Sequence, residues 1–394
     1  MKKIYLLITS LFLSTLVFSQ TTISDSIFSG GVYRKYILYI PAIYNSANPV
    51  PLVFNLHAYG YRNTNELTYA DFRPVADTAN FIIALPQGDS VHQAWEYNLG
   101  WDNWNSVAQA SNDLNFISNL IDTIKTQYNI DLNRVYSCGY SNGGFMSYDL
   151  ACYLNSRIAA IASVAGDMII SHDSMCNPAH PTPVMEIHGA ADSCVTWNGV
   201  AAQCLTLQTI HCLHIDSLIK HWVIRNNCST TPTFTNVPNN NWFDFCTAEH
   251  YVYNGGTNGS SVELYKVIGG FHTWPGSGLV MGGGTCMDFN ASLEIWRFFR
   301  KYTLSGLTTN TNETTVPDGN LFSIYPNPSQ GEFTMNVSSV PAQIQIVNSL
   351  GQIIQQTKVD NKTKIDFKIN DKGIYFLQLT TAKETLVKKI VVDD

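Results

Sequence analysis

The chain has 394 residues, 45% of them hydrophobic and only 13% charged, enough apolar material to bury a large core. A net charge of −7 argues against a nucleic-acid surface. The length suits two or three domains.

The first residues, MKKIYLLITSLFLSTLVFSQ, set Lys2 and Lys3 ahead of an apolar run from Ile4 to Phe18, with small Ser19 next. That run is too short and too lopsided for a membrane span, and its flanks predict a cleaved secretory signal over residues 1–19. No later stretch is apolar for long enough to cross a bilayer, so the mature chain is expected to be soluble and exported.

Arg34 to Pro41 (RKYILYIP) alternates like a strand with one buried face. Pro51 to His57 (PLVFNLH) and Phe81 to Gly88 (FIIALPQG) are continuous apolar runs and read as central strands. Between Ser111 and Tyr128, Leu114, Ile117, Leu120, Ile121 and Ile124 recur at helical spacing, with Ser111 a candidate N-cap. A strand (RVYSC), a helix with Met146, Leu150 and Leu154, and a strand (IAAIASVAG) come next. They are followed by a strand (PVMEIHG), a helix around Ile215–Ile224, a strand (VELYKVIGG) and a last helix (LEIWRFFRKY). Strands alternating with helices predict an α/β domain over residues 20–302, with a mainly parallel sheet covered on both faces.

Residues 303–320 turn rich in threonine and asparagine, lack an apolar face and read as a linker. Residues 321–394 hold short alternating strands separated by turn residues, which predict a small all-β sandwich. All nine cysteines precede residue 303, fit an oxidising compartment and include no C-x-x-C pair, which disfavours a zinc ribbon or thioredoxin-type site. Proximity suggests Cys152–Cys176 and Cys228–Cys246 as disulfides, and Cys138, on a core strand, as the thiol an odd count leaves free.

Gly139-Tyr140-Ser141-Asn142-Gly143 has the pattern G-x-S-x-G, with a strand leading in and a helix leading out. In such an elbow the serine takes a strained backbone at the tip of a strand-to-helix turn, and crowding requires glycine two positions to either side. The helix N-terminus then points N–H groups at an oxyanion site. On sheets carrying this elbow the chain order is nucleophile, acid, histidine. His272, in the glycine-flanked loop VIGGFHTWPG, is the candidate base; His211, His214, His221 and His250 read as surface or packing residues. Asp192, in VMEIHGAADSCV, is the candidate acid that orients His272, and Asp167, also after a strand, is its rival. The loop His57-Ala58-Tyr59-Gly60 should donate one backbone N–H to the oxyanion, from Tyr59 or alternatively Ala58, and Asn142 the other; His57 reads as structural.

Together, RKYILYIP, PLVFNLHAYG, GWDNW, NRVYSCGYSNGGFMS, HGAAD, GFHTWPG and LEIWRFF, in this order over about residues 30–302, resemble one secreted esterase family. It includes polyhydroxybutyrate depolymerase-like proteins and the feruloyl and acetyl-xylan esterases of carbohydrate esterase family one. The resemblance implies an α/β-hydrolase fold, the triad Ser141, Asp192 and His272, ester hydrolysis through an acyl-enzyme, and no cofactor or metal. The family's oxyanion loop usually reads His-Gly, where this chain has His57-Ala58.

In the tail, YPNPSQGEF, IVNSLGQII, GIYFLQL and KKIVV resemble the C-terminal sorting domain of the type IX secretion system of Bacteroidetes, over roughly Leu321 to Asp394. This implies passage through the outer membrane, the secretion machinery as partner, and a tail that is removed or used for surface attachment. A carbohydrate-binding β-module is the alternative for the tail, but its strands show no row of exposed aromatics.

For substrate, Trp101, Trp104 and Trp274, with Trp95, Trp197, Tyr59 and Tyr61, fall in predicted loops at the carboxyl ends of strands, where aromatic rings could line a cleft. Feruloyl or acetyl esters of plant polysaccharide are the expected substrates, with polyhydroxyalkanoates the alternative. A peptidase is disfavoured by the absence of an added propeller domain, and a non-catalytic glycan-binding protein by the presence of all three triad residues.

Overall fold

The computed structural model describes residues 20–90, 99–101, 107–201, 210–277, 284–307, 322–325, 329–337, 342–348, 352–360, 364–381 and 385–393. The expected signal segment, Trp95 and Trp104 lie outside these residues. The chain divides into two compact units, Met1–Thr309 and Asn310–Asp394.

In the first unit ten strands form one sheet. They are β1 (Thr21–Ser29), β2 (Val32–Ile40), β3 (Val50–Leu56), β4 (Ile82–Pro86), β5 (Ile130–Tyr140), β6 (Ala160–Val164), β7 (Val184–Gly189), β8 (Thr233–Asn236), β9 (Thr247–Tyr253) and β10 (Val262–Ile268). Their spatial order is β1-β2-β4-β3-β5-β6-β7-β10-β9-β8. The run from β4 to β10 is parallel throughout, and the pairings on both flanks are antiparallel. β3, β4, β6 and β7 are buried at every position, as continuous apolar strands covered on both faces must be. The expected mainly parallel α/β sheet is therefore present, extended by antiparallel arms at both edges.

Within those arms β2 is expected from its alternation, whereas β1, β8 and β9 are what the sequence pattern left unassigned. β1 (TTISDSIFS) and β9 (TAEHYVY) carry polar residues on partly exposed faces, so neither shows a continuous apolar run. The expected helix at 111–128 starts earlier, at Val107, so Ser111 lies inside it rather than at its cap. Phe116, Ile117, Leu120, Ile121 and Ile124 on this helix, α1 (Val107–Gln127), are fully buried. Arg34 on β2 forms a buried ion pair with Asp113 of α1 at 2.5 Å and lies over the Phe116 ring. The helix α2 (Asn142–Tyr153) is buried along nearly its whole length, whereas α3 (Ile215–Arg225) and α4 (Ala291–Phe299) bury one face each. Trp296 of α4 stacks on Phe81, and Phe299 on Tyr136.

The first unit continues beyond residue 302. A short hairpin pairs Tyr302–Thr303 with Gly306–Leu307, and buried Tyr302 bonds through its hydroxyl to Ser261 while its carbonyl accepts from the Tyr136 hydroxyl. The start of the expected linker is thus tied to the sheet.

Cys152 and Cys176 form the expected disulfide. Cys228 and Cys246, expected as a second pair, are separate buried thiols. The reason is topological: Ser229 bonds to Asn254 beyond one end of β9, while Cys246 immediately precedes its other end. Seven strand residues at ~3.3 Å each hold the two sulfurs too far apart. Cys194 is also disulfide-bonded, and Cys138 is a free buried thiol as expected, as is Cys286.

The second unit consists of antiparallel sheets of three and four strands. The first contains Phe322–Tyr325, Glu332–Val337 and Lys364–Lys368. The second contains Ala342–Asn348, Ile353–Val359, Gly373–Thr381 and Thr385–Val392. Alternate residues Phe333, Met335, Ile344, Ile346, Leu377, Leu379 and Ile390 make its core, as the strand periodicity requires.

Candidate active site

Ser141 sits between the end of β5 and the start of α2 with φ 53° and ψ −117°, a conformation L-residues rarely take. Its neighbours explain the glycines. A Cβ on Gly139 would lie 2.4 Å from the backbone of Gly143, and one on Gly143 would lie 2.0 Å from the Leu56 carbonyl oxygen. No side chain fits at either position. The same crowding presses the end of β3 against the start of α2, so the loop after Leu56 lies beside Ser141 and Asn142.

The other two candidates leave neighbouring parallel strands. Asp192 follows β7 and His272 follows β10, and these strands pair in register from Val184–Val262 to Gly189–Val267. Gly189 lets the two loops meet: a Cβ there would sit 2.3 Å from the Gly270 carbonyl oxygen, and Ala191 N–H donates to that same oxygen. His272 Nδ1 then reaches Asp192 Oδ2 at 2.7 Å. The other carboxylate oxygen accepts the N–H groups of Cys194 and Val195 at 2.7 and 2.9 Å. With both oxygens engaged, Asp192 is fixed in rotation and holds the imidazole by one nitrogen. Asp167, the rival, bonds instead to the N–H of Met168, and burial pushes its carboxyl well above the usual carboxylate range.

Two polar atoms at this strand end, Ser141 Oγ and His272 Nε2, are buried and make no hydrogen bond. Leaving them so costs stability, and a catalytic role is one of the reasons for which a native fold keeps such atoms. They are joined through Tyr140, whose hydroxyl donates to the His272 carbonyl at 2.6 Å and whose ring centroid lies 5.1 Å from the imidazole.

The loop proposed to complete an oxyanion site is held from below. His57 Nδ1 pairs with the Ala58 carbonyl, and its Nε2 accepts from Gly88 N–H at 2.8 Å and the Gln87 amide at 2.9 Å. Burial lowers its pKa from 6.5 to about 4, which matches this neutral tautomer and a structural role. Ala58 is not among the described residues with positive φ, so alanine at this position brings no backbone strain. Asn142 Oδ1 accepts Trp101 N–H at 2.7 Å and its Nδ2 donates back to the Trp101 carbonyl, fixing the first residue of the helix.

The expected aromatic cleft needs correction. Trp101 is 0% exposed and donates through Nε1 to the His57 carbonyl, and Trp274 is 2% exposed and donates to Ser292. Both support the loops instead of lining a cleft; their indole N–H groups found internal acceptors, which a sequence pattern cannot show. Tyr59 and Tyr61 are partly exposed on the loop after β3.

A second histidine near the site went unassigned. His188 on β7 bonds through Nδ1 to Glu186 at 2.9 Å and through Nε2 to the Val195 carbonyl at 2.8 Å, 3.7 Å from Asp192 Oδ2. Facing acceptors at both nitrogens, it is held as an imidazolium, with a pKa raised to about 9 despite complete burial. Tyr148 donates to the other Glu186 oxygen. HGAAD carried the signal, a histidine on the strand leading to the acid.

Residues 46–214 match the Phospholipase/Carboxylesterase family, and residues 323–393 match the Secretion system C-terminal sorting domain, the class of tail that directs export. The chain is 24% identical over 310 residues to the bifunctional acetylxylan esterase/xylanase of Neocallimastix patriciarum, covering 76% of this chain and 39% of the relative. It is 27% identical over 241 residues to feruloyl esterase B of Piromyces equi, covering 61% of this chain and 42% of the relative. The chain thus spans less than half the length of both. Among solved structures, the acetyl xylan esterase of Aspergillus awamori aligns with TM-score 0.47 at 13% identity, over 64% of this chain and 94% of that one. The ferulic acid esterase of Anaeromyces mucronatus, solved with ferulic acid, aligns with TM-score 0.45 at 17% identity, over 75% and 94%. The fold of the first unit is that of an α/β-hydrolase, with esterase relatives, and the chain ends in an all-β sorting domain.

Proposed function

We propose that the chain is a secreted serine esterase that hydrolyses feruloyl or acetyl esters of plant polysaccharide. The observation that carries this reading is the pair of buried, unpartnered atoms Ser141 Oγ and His272 Nε2, with His272 held at its other nitrogen by Asp192. A histidine positioned in this way is a general base awaiting a proton. In the proposed cycle His272 Nε2 takes the Ser141 proton as Oγ attacks the ester carbonyl carbon. Backbone N–H groups of Asn142 and Tyr59 stabilise the tetrahedral oxyanion. The intermediate collapses to an acyl-serine, and His272 returns the proton to the leaving alcohol oxygen. A water, deprotonated by His272, then attacks the acyl carbon, and as the bond from that carbon to Oγ breaks His272 returns the proton to Ser141 Oγ and the acid leaves. Asp192 stabilises the imidazolium without taking its proton.

The substrate class rests on the relatives named for acetylxylan and feruloyl esters. The tail is proposed to engage the type IX machinery during export. The test is hydrolysis by the purified chain of methyl ferulate, acetylated xylan, polyhydroxybutyrate film and p-nitrophenyl acetate, beside Ser141→Ala. Release of ferulate or acetate that disappears in the variant, with fluorophosphonate labelling of Ser141, is the expected result. Activity on the polyester alone transfers the chain to the alternative substrate, and undiminished activity of Ser141→Ala removes the mechanism.

A further inference from the structure

The segment joining β8 to β9 reads Val237-Pro-Asn-Asn-Asn-Trp242-Phe243-Asp244-Phe245-Cys246. Trp242, Phe243 and Phe245 are 77%, 88% and 88% exposed, a dense set of aromatic rings turned to solvent. Burying each ring against the fold would have been favourable by roughly 2 kcal/mol or more, so their exposure needs a cause.

The segment is braced by hydrogen bonds. Asp288 Oδ1 accepts the N–H groups of Asn240 and Asn241 at 2.7 and 3.0 Å. Asp244 Oδ1 accepts Cys246 N–H at 2.9 Å and its Oδ2 accepts Met287 N–H at 2.7 Å, while Asn241 Oδ1 accepts Phe243 N–H. Phe245 itself has φ +58°, a costly conformation for a bulky residue. The strain turns its carbonyl onto Gly269, where any Cβ would lie 2.6 Å from that oxygen. A braced, strained turn that presents apolar rings to water is built for a ligand, since a fixed platform spares the ligand the cost of ordering it.

Topology places this turn beside the candidate active site. β9 starts at Thr247, opposite Ile268 at the carboxyl end of β10, and the His272 loop leaves from that same end. Phe271, half exposed and next to His272 in the chain, and exposed Met287, whose N–H donates to Asp244, add apolar surface on the neighbouring loops.

We infer that Trp242, Phe243 and Phe245 form a binding platform for the sugar rings of a polysaccharide chain whose ester group enters the site. The inference rests on the proposed esterase reading for its link to catalysis, but binding is measurable without it. Pyranose rings present flat C–H faces that lie on aromatic rings, and their rim hydroxyls need polar partners, which exposed Asn240 and the amide of Asn241 offer beside Trp242. Membrane anchoring calls for Lys or Arg beside the aromatics, and residues 237–246 carry none, only the acid Asp244.

The test uses the full chain, the triple variant Trp242→Ala/Phe243→Ala/Phe245→Ala, and Phe245→Gly, which removes a ring while relieving the positive φ. Depletion from solution by insoluble arabinoxylan should weaken at least tenfold in the triple variant and about threefold in Phe245→Gly. Hydrolysis of p-nitrophenyl acetate should stay within twofold, and Phe245→Gly should melt no lower than wild type. Unchanged arabinoxylan binding overturns the platform, as does loss of small-ester hydrolysis in both variants, which would make the turn a support for the site. Capture of wild type by phosphatidylcholine vesicles instead of arabinoxylan, or a dimer in sedimentation that the triple variant dissolves, also overturns it. An inactive wild type that binds arabinoxylan through these rings would refute the esterase reading and leave the platform standing.

Discussion

The hydroxyl of Tyr140 donates to the backbone carbonyl of His272 at 2.6 Å, so the residue before the candidate nucleophile holds the main chain of the candidate base. Tyr69 packs edge-on against Tyr140 at 5.2 Å and fixes its ring, while Tyr69 in turn donates to the buried carboxyl of Glu66. Two loops from distant parts of the chain are thereby registered by one side chain. Tyr140→Phe keeps the ring and removes only that tether. We expect kcat on p-nitrophenyl acetate to fall about tenfold, equivalent to about 1.4 kcal/mol, with KM changed by less than twofold. A kcat equal to wild type would show that the His272 loop holds its position unaided.

Asp192 and Asp167 provide a paired experiment on the acid. Asp192 accepts hydrogen bonds at both oxygens, two from backbone N–H groups and one from His272. An amide at this position must turn an NH2 toward one of those donors, so Asp192→Asn either loses its brace or presents the wrong tautomer to His272. A fall in kcat of about 10⁴ is expected. Asp167 is buried and its carboxyl is pushed well up, so asparagine resembles its protonated form and Asp167→Asn should retain activity within about tenfold. Reversal of these two outcomes would make Asp167 the acid.

The parts of this molecule that a sequence pattern reaches are those whose signal is local. Continuous apolar runs revealed β3, β4, β6 and β7 because strands buried on both faces have no other composition. Gly139 and Gly143 were legible because an elbow dictates glycine at fixed offsets from its serine. β9 was not, since its alternation is blurred by partial exposure on an edge arm. Trp101 and Trp274 were misread for a related reason: an indole in a loop near the site looks the same in sequence whether its N–H meets water or, as here, His57 and Ser292. The braces on Asp192 and the proximity of His188 lie within four residues of the acid, whereas the meeting of Asp192 with His272 depends on register between β7 and β10, far apart in the chain, which no local pattern encodes.

Crowding at the elbow makes a stability prediction with an internal control. Gly143→Ala puts a methyl group 2.0 Å from the Leu56 carbonyl oxygen and 2.9 Å from that of His57, backbone atoms that cannot step aside. Unfolding in urea should show a loss of at least about 3 kcal/mol, with activity abolished because the proposed oxyanion loop is displaced. Gly255→Ala is the control, at φ +78° with nothing within 4 Å of the added carbon, and should cost only about 1 kcal/mol of backbone strain. Equal losses in the two variants would mean that the backbone around Gly143 gives way to the added methyl group and that contact does not set its cost.

Disulfide removal should test the covalent closure of α2 onto the segment that follows β6. Cys152 and Cys176 enclose a separation of 24 residues, for which chain entropy assigns about 3 kcal/mol of stabilisation. Cys152→Ser/Cys176→Ser should lower stability by about that amount and leave kcat on p-nitrophenyl acetate within threefold, because Cys152 lies near the end of α2 opposite to Ser141. A larger fall in kcat than in stability would mean that the bridge sets the geometry of the elbow helix.

Two buried histidines should give the stability profile opposite slopes on its two sides. His57 is neutral in the fold, with its pKa depressed from 6.5 to about 4, so as pH falls below about 6.5 the unfolded chain binds a proton that the native state refuses. Its contribution is full above pH 6.5 and declines as pH drops towards 4, by roughly 3 kcal/mol in all. His188 runs the other way. Bonded to Glu186 and the Val195 carbonyl, it keeps its proton in the fold up to about pH 9, whereas the unfolded chain releases it near 6.5. Its contribution is full below pH 6.5 and is lost as pH rises towards 9. Guanidinium unfolding from pH 4 to 9.5 should therefore show stability falling in both directions. His57→Gln should flatten the acid side and leave the alkaline side alone. His188→Gln should flatten the alkaline side and lower stability at neutral pH, since Glu186 loses its buried partner. An alkaline slope that survives in His188→Gln would mean that this imidazole is neutral in the fold, and that the lining of Asp192 carries no positive charge.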